Sequence, residues 1–289
     1  MTKLVLIISC FTAASSAIFV RWADMPSLVL VVYRMFMTVL LLPGFLLKHR
    51  QKAKSLSKKT LLLCVASGIC FGLHLTTYFA SVRATSIASS QVLVNTEAFF
   101  IALLTYFIFK EKISLSCWTG IGIAFLGIVL IALTDAGGQA TGIKGDILAL
   151  TAAVLGAGYT IIGRKVRSEG VSTTLYTLLV YFMAGVTTLL ATLFSGTPLF
   201  GYGISNYGCA LGLAVFPTLL GHNLFSWALK YESASTVSTM KLLQPVCAAF
   251  YGIFLFQEVP GTMSIAGGVV TVLGIWLYIR AEEKKTAEK

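Results

Sequence analysis

Five ionisable side chains stand inside long apolar stretches: Arg34, His74, Glu97, His222 and Lys241. A charge held at membrane depth costs about 2.5–3.5 kcal/mol on insertion scales, so such groups persist when they are paired or face a polar cavity. Glu97 and Lys241 form an acid and base suited to the two charged ends of a zwitterion, and Glu97 could equally take up a proton. The alternative is structural: they pair with each other, or Glu97 pairs with Arg34, and hold helices together. His74 precedes Tyr78 by one turn and His222 precedes Ser226 by one turn. These faces offer neutral donors and acceptors to a cavity or bond between helices. Two histidines without a third ligand fall short of a metal site, and no cofactor is expected. Gln244 precedes Pro245, which has no N–H and so frees a backbone carbonyl. Arg34 either snorkels outward or reaches the interior. The candidate substrate-binding set is therefore Glu97, Lys241, His74, Tyr78, His222, Gln244 and Arg34. Phe99, Tyr78, Tyr159 and Trp227 lie at similar depth and serve as walls or as packing. Gln91 and Asn95 lie well around the helix from Glu97, so both sets cannot face one centre.

The elements that must position these residues are membrane spans. Hydrophobic residues make up 57% of the chain and charged residues 11%, against about 25% charged in a soluble domain. Mean hydropathy is +0.86. Crossing a hydrocarbon core takes about 20 apolar residues. Ten helices are expected, over 3–20, 28–47, 61–81, 86–109, 115–134, 146–163, 172–194, 206–229, 234–256 and 261–280. The uncharged run from Gly170 to Leu229 is too long for one span, and the Gly-, Pro-, Ser- and Asn-containing stretch Ser195–Asn206 divides it. The first span resembles a signal peptide in length. It has no clear small-residue cleavage site, and equivalent segments follow, so it is read as a span.

With the N-terminus inside, seventeen Lys and Arg fall on that side and only Arg21, Arg83 and Lys144 on the other. This places both termini in the cytoplasm. It also accounts for the net charge of +11 as a topology signal rather than a nucleic-acid surface. The basic loop Lys48–Lys59 would attract anionic lipid weakly.

The chain also repeats itself, about 147 residues apart. Ser86 matches Ser233, Ala102 matches Ala249, and Phe107 and Phe109 match Phe254 and Phe256. Glu111, Gly120 and Gly127 match Glu258, Gly267 and Gly274. Five spans per copy, in halves 1–135 and 136–289, turn the second copy upside down. The expected fold is thus all-α and integral to the membrane, with ten transmembrane helices as two inverted five-helix repeats and both termini inside. In that register Glu97 matches Gln244 and Val94 matches Lys241. Positions three apart share a helix face, so Glu97 and Lys241 are expected on equivalent faces of one central cavity.

The remaining motifs exclude other classes. There is no nucleotide-binding loop, zinc-binding helix motif or nucleophile elbow, so no enzyme is expected. A lipid enzyme would want its polar cluster at one interface, whereas these groups lie at mid-depth. The six cysteines lack metal-ligand spacing and read as small buried hydrophobes. Small residues four apart (Gly68 and Gly72, Gly120 and Ala124, Gly208 and Gly212) let helices approach closely. The pair Gly120 and Ala124 would also suit a homodimer contact.

Tyr33-Arg34, Gly156-Ala157-Gly158-Tyr159 with Arg164, Leu243-Gln244-Pro245-Val246 and the duplicated Phe-x-Glu at Phe109–Glu111 and Phe256–Glu258 give the chain a likeness over nearly its whole length. It resembles the EamA-type transporters of the drug/metabolite transporter superfamily. That resemblance implies a bacterial inner-membrane, multi-pass carrier. Such carriers commonly export amino acids or related metabolites by alternating access, from a cavity between two halves. Where the first repeat of that family usually has proline, this chain has Ala98, and the family pattern supplies no role for Glu97. Glu111 and Glu258 read as helix-end structural residues. The expected partners are a small-molecule substrate and the lipid bilayer, not nucleic acid. A zwitterion complements Glu97 and Lys241 together. A drug-like cation would fit Glu97 alone, and an anion would fit Lys241 and Arg34.

Overall fold

The computed structural model describes residues 1–42, 56–84, 93–110, 113–135, 143–256 and 262–287, and among these there is no strand. Six helices are long and apolar enough to cross a membrane: Thr2–Val20, Lys58–Ser81, Ile143–Ser168, Thr173–Phe194, Ile204–Ala228 and Ile265–Lys284. Three shorter apolar helices accompany them, Ser27–Leu40, Leu93–Phe109 and Leu115–Leu130. Large apolar side chains point away from the core all round, such as Phe107, Leu126, Phe194 and Trp276. Such a surface suits lipid, since a soluble monomer rarely exposes so much contiguous apolar area.

In chain order the helices are α1 (Thr2–Ala14), α2 (Ser16–Trp22), α3 (Ser27–Leu40), α4 (Lys58–Ala84), α5 (Glu97–Phe109), α6 (Leu115–Asp135) and α7 (Ile143–Ser168). Next come α8 (Thr173–Phe194), α9 (Ile204–Leu213), a π segment (Ala214–His222) and α10 (Asn223–Ala228). The last three are α11 (Ala234–Lys241), α12 (Gln244–Phe256) and α13 (Thr262–Ala287).

Four expected spans are interrupted among the described residues, the fourth at Thr96 and three others for local reasons. The first breaks at Ser15, where Ser15 Oγ donates to the Thr12 carbonyl at 2.6 Å and Thr12 Oγ1 donates to Leu220 O at 2.8 Å. Hydroxyls that bond back to carbonyls bend a helix. The eighth contains Pro217 and loosens into the π segment, with Thr218 Oγ1 donating five residues back to Leu213 O at 2.7 Å. The ninth divides at Leu242-Leu243, next to Pro245, as the missing N–H requires. The last helix runs seven residues past 280, to Ala287. Glu283 pairs there with Lys3 at 2.5 Å, and Glu282 accepts from Ser233 at 3.1 Å and from Thr236. Residues 43–47 and 86–92 of the expected spans lie outside the described residues, as do Gln91, Glu111, Glu258 and most of the Lys48–Lys59 loop.

Small residues set the tightest contacts. A Cβ on Gly120 would come 2.6 Å from the Tyr278 nitrogen, one on Gly127 2.5 Å from the Gly267 carbonyl, and one on Gly274 2.2 Å from the Ala124 nitrogen. Partner numbers fall as chain numbers rise, so α6 and α13 run antiparallel. This seam uses Gly120 and Ala124 for packing within one chain. Gly68 and Gly72 meet Val180 and Ala184 of α8 in the same way, and Gly212 meets the Phe19 ring, while Gly208 faces open space. All six cysteines are free, and five of them are buried.

Two large buried clusters result. One joins Leu6, Ile101, Ile121, Phe225, Met240 and Tyr278. The other joins Met35, Phe71, Tyr159, Tyr176 and Tyr181. Lys241 stands near Phe225 of the first cluster, and His74 near Phe71 of the second.

Candidate functional site

Glu97 is the first residue of α5 and Gln244 the first of α12. A turn at Thr96 precedes Glu97, with Phe99 N donating to Thr96 O at 2.9 Å, so both helices are divided at matching positions although only the second has a proline. The division leaves Glu97 at a helix start, where a negative charge is favoured. Lys241 closes α11 just before the second break.

Across this gap Lys241 Nζ meets Glu97 Oε1 at 3.0 Å. Thr160 Oγ1 of α7 donates to the same oxygen at 3.1 Å, and Lys241 Nζ lies 3.3 Å from that hydroxyl. The Lys241 ammonium also stands 5.7 Å from the Phe225 ring centre. The side chains of Glu97 and Lys241 keep 13% and 15% of their surface accessible, so the pair borders space rather than sealed packing.

His74 of α4 shares the cluster. Its Nδ1 lies 2.8 Å from the Ala152 carbonyl. A carbonyl only accepts, so Nδ1 carries the proton, and in the neutral ring Nε2 is left as an acceptor. Tyr78 stacks on His74 with centroids 6.4 Å apart and planes at 13°. Gly156 is what lets these groups converge. A Cβ there would sit 2.8 Å from Glu97 Oε2 and 2.9 Å from His74 Nδ1.

Phe71 is the hub of a second group. Its ring lies 4.6 Å from Tyr159, 5.1 Å from His222, 6.0 Å from Tyr181 and 6.3 Å from His74, between centroids. Tyr159 hydrogen-bonds Ser226 at 3.0 Å. Arg34 is 2% exposed and does not snorkel outward. Its Nε donates to Thr218 Oγ1 of the π segment at 2.8 Å.

The structure thus gathers Glu97, Lys241, His74 and Tyr78, and places His222 against Phe71 and Arg34 against Thr218 of the π segment. Glu97 pairs with Lys241 and not with Arg34. Gln244, half-buried, opens α12. Two suggested walls pack elsewhere: Phe99 lies against Trp118 and Phe125, and Trp227 lies against Tyr231. Sequence reasoning missed Thr160, Gly156, Phe71 and Tyr181. Gly156 was visible as part of a glycine motif, and Thr160 directly follows it, but neither type announces chemistry by itself.

An all-helical membrane protein with a charged, partly accessible centre has the character of a carrier, and comparison with known proteins identifies which kind. The EamA-like transporter family matches residues 1–133 and 143–280. The chain belongs to that family. It is 24% identical over 251 residues to the pseudopaline exporter CntI of Pseudomonas aeruginosa, covering 87% of this chain and 85% of that protein. An uncharacterized transporter of Archaeoglobus fulgidus is 24% identical over 96% of both. A probable amino-acid metabolite efflux pump of Salmonella typhimurium is 24% identical, covering 76% of each chain. A solved structure shares the fold with a TM-score of 0.81 at 16% identity, covering 98% of both chains. Family and named relatives together point to a multi-pass membrane transporter rather than an enzyme.

Proposed function

We propose that the protein is a secondary active exporter of a small metabolite such as an amino acid, working by alternating access in the bacterial cytoplasmic membrane. The observation that carries this reading is the Glu97–Lys241 pair at 3.0 Å, held in a gap between two divided helices. Divided helices at mid-depth are a recurring way of building transporter sites, because they free backbone and side chains for a solute. An amino acid brings an ammonium for Glu97 and a carboxylate for Lys241, so it exchanges one internal ion pair for two. His74, Tyr78, Gln244, His222 and Arg34 complete the proposed lining. Among the relatives, one is named for exporting pseudopaline and another for amino-acid metabolites, which agrees with an organic polar cargo.

In the proposed arrangement, residues 1–135 and 136–289 are two inverted five-helix halves with both termini in the cytoplasm. The antiparallel α6–α13 seam supports it. Shifted by 147 residues, its contact of Gly274 with Ala124 becomes its contact of Gly127 with Thr271, which is the exchange a two-fold relation demands. The test is uptake and efflux of labelled amino acids and of cationic dyes by proteoliposomes, with and without a proton gradient. Carriage of one or more amino acids supports the reading. Carriage of dyes alone would replace it with a drug exporter.

A further inference from the structure

Arg34 is buried within α3. Among the described residues no carboxylate lies within ion-pair distance of it. Its Nε is used on Thr218, but Nη2 is buried without a hydrogen-bond partner. Two further buried polar atoms near it are equally without partners, Tyr181 Oη and His222 Nδ1. Tyr181 stands on α8 and His222 on the π segment, both of which pack against α3, the helix of Arg34, and both rings abut Phe71. Tyr181 is fully buried and Arg34 is 2% exposed.

Burial alone does not force this condition on an arginine. Arg167 is also 2% exposed, yet its Nε donates to Ser226 O at 3.1 Å and its Nη1 to Val171 O. Buried polar atoms in native structures find partners in all but a few cases, and the exceptions call for a ligand, an ion or water. Here the unused atoms are a guanidinium N–H, a phenol O–H and an imidazole nitrogen, clustered on a cation. The guanidinium only donates and lacks an acceptor oxygen and a negative charge, and the phenol O–H can donate to the same oxygen. Thr218, which anchors Arg34, and His222 both belong to the π segment, the kind of helical irregularity that collects at functional sites.

The charges at the centre also fail to cancel. Among the described residues Glu97 and Lys241 neutralise each other, which leaves Arg34 as a net positive charge at membrane depth. We infer that Arg34, Tyr181 and His222 form a second subsite, which borders the same Phe71 ring as His74 of the first, that takes a carboxylate of the transported molecule. The inference rests on the exporter reading and narrows its cargo. The substrate class is a zwitterion bearing one additional carboxylate, with net charge −1. Its ammonium and one carboxylate engage the pair, and its second carboxylate engages Arg34.

The test uses the purified full chain in detergent and measures melting temperature against L-glutamate and L-glutamine, L-aspartate and L-asparagine, and sodium chloride. Each acid–amide pair differs at the carboxylate that Arg34 would read. The acids should stabilise the wild type at about tenfold lower concentration than their amides, and Arg34→Met should erase that difference. Tyr181→Phe, which removes only the hydroxyl, should narrow it; this second variant decides the matter if Arg34→Met does not fold. Equal or better protection by the amides, or an acid preference that survives both substitutions, overturns the inference. Protection by chloride alone overturns it too, by making Arg34 an inorganic-anion site. Binding of none of these probes also overturns it. In that case the exporter reading stands or falls separately, on whether Glu97→Gln stops transport of whichever amino acid the wild type carries.

Discussion

The α6–α13 seam and the Glu97–Lys241 centre are both places where glycine lets helices close, yet they close on different things. In the seam, a Cβ on Gly127 or Gly274 would strike backbone atoms at 2.5 and 2.2 Å. At the centre, a Cβ on Gly156 would strike the tips of Glu97 and His74, at 2.8 and 2.9 Å. Backbone in a packed helix pair cannot yield, whereas the end of a side chain can. The seam is therefore rigid scaffold, and the centre is a place where approach has been traded for adjustable chemistry. The same contrast appears in satisfaction of polar groups. In the seam, Thr271 Oγ1 donates to Gly267 O at 2.9 Å. The centre holds an ion pair beside buried polar atoms without partners.

Substitutions can be aimed at that contrast. The largest effect belongs to the seam. Gly274→Val should destabilise the protein by about 3 kcal/mol through overpacking, seen as loss of monodisperse protein on size exclusion. Next come the pair residues. Breaking a fully buried pair costs about 3–5 kcal/mol; with 13% and 15% of these side chains accessible, Glu97→Ala or Lys241→Ala should each cost about 2 kcal/mol. The double variant should recover about 1 kcal/mol in a melting cycle. A double variant no more stable than the worse single would show that the two do not couple.

Smaller in stability, but not in function, is Gly156→Ala. Its Cβ displaces the ends of Glu97 and His74, so melting should move by at most about 1 kcal/mol. Transport should fall by about tenfold or more, because the acid is shifted from its place. A Gly156→Ala protein that melts early but transports normally would put this glycine with the scaffold. The smallest effect is expected at Gly122 in α6, where a Cβ would meet nothing within 4 Å. Gly122→Ala should change stability by less than about 0.5 kcal/mol and leave transport intact.

The helices and the acid–base pair were legible in the sequence because they leave strong local marks. Apolar runs, their charged ends and a proline after Gln244 need no tertiary knowledge. Matching the repeats put Glu97 and Lys241 on equivalent faces before any contact was known. Thr160 was not legible, since a threonine in an apolar helix is far more often a back-bonded or packing residue, and its contact with Glu97 depends on how α7 crosses α5. Phe71 was hidden for a similar reason: one more aromatic in a chain that is 12% aromatic carries no mark of being a hub. The break at Ser15 depends on a carbonyl of the distant π segment. Phe99 and Trp227 were suggested as walls by depth alone, and depth does not say which neighbour a ring will meet.

On the proposed reading, the charge of Glu97 serves transport more than folding. Glu97→Gln keeps the side chain's size and its bonds to Thr160 within reach while removing the charge. Its transport of the wild-type substrate in proteoliposomes should fall to background, with the protein still folded and destabilised by no more than the ~2 kcal/mol expected of Glu97→Ala. Unchanged transport by Glu97→Gln at equal protein density would contradict the account and leave the pair a structural brace.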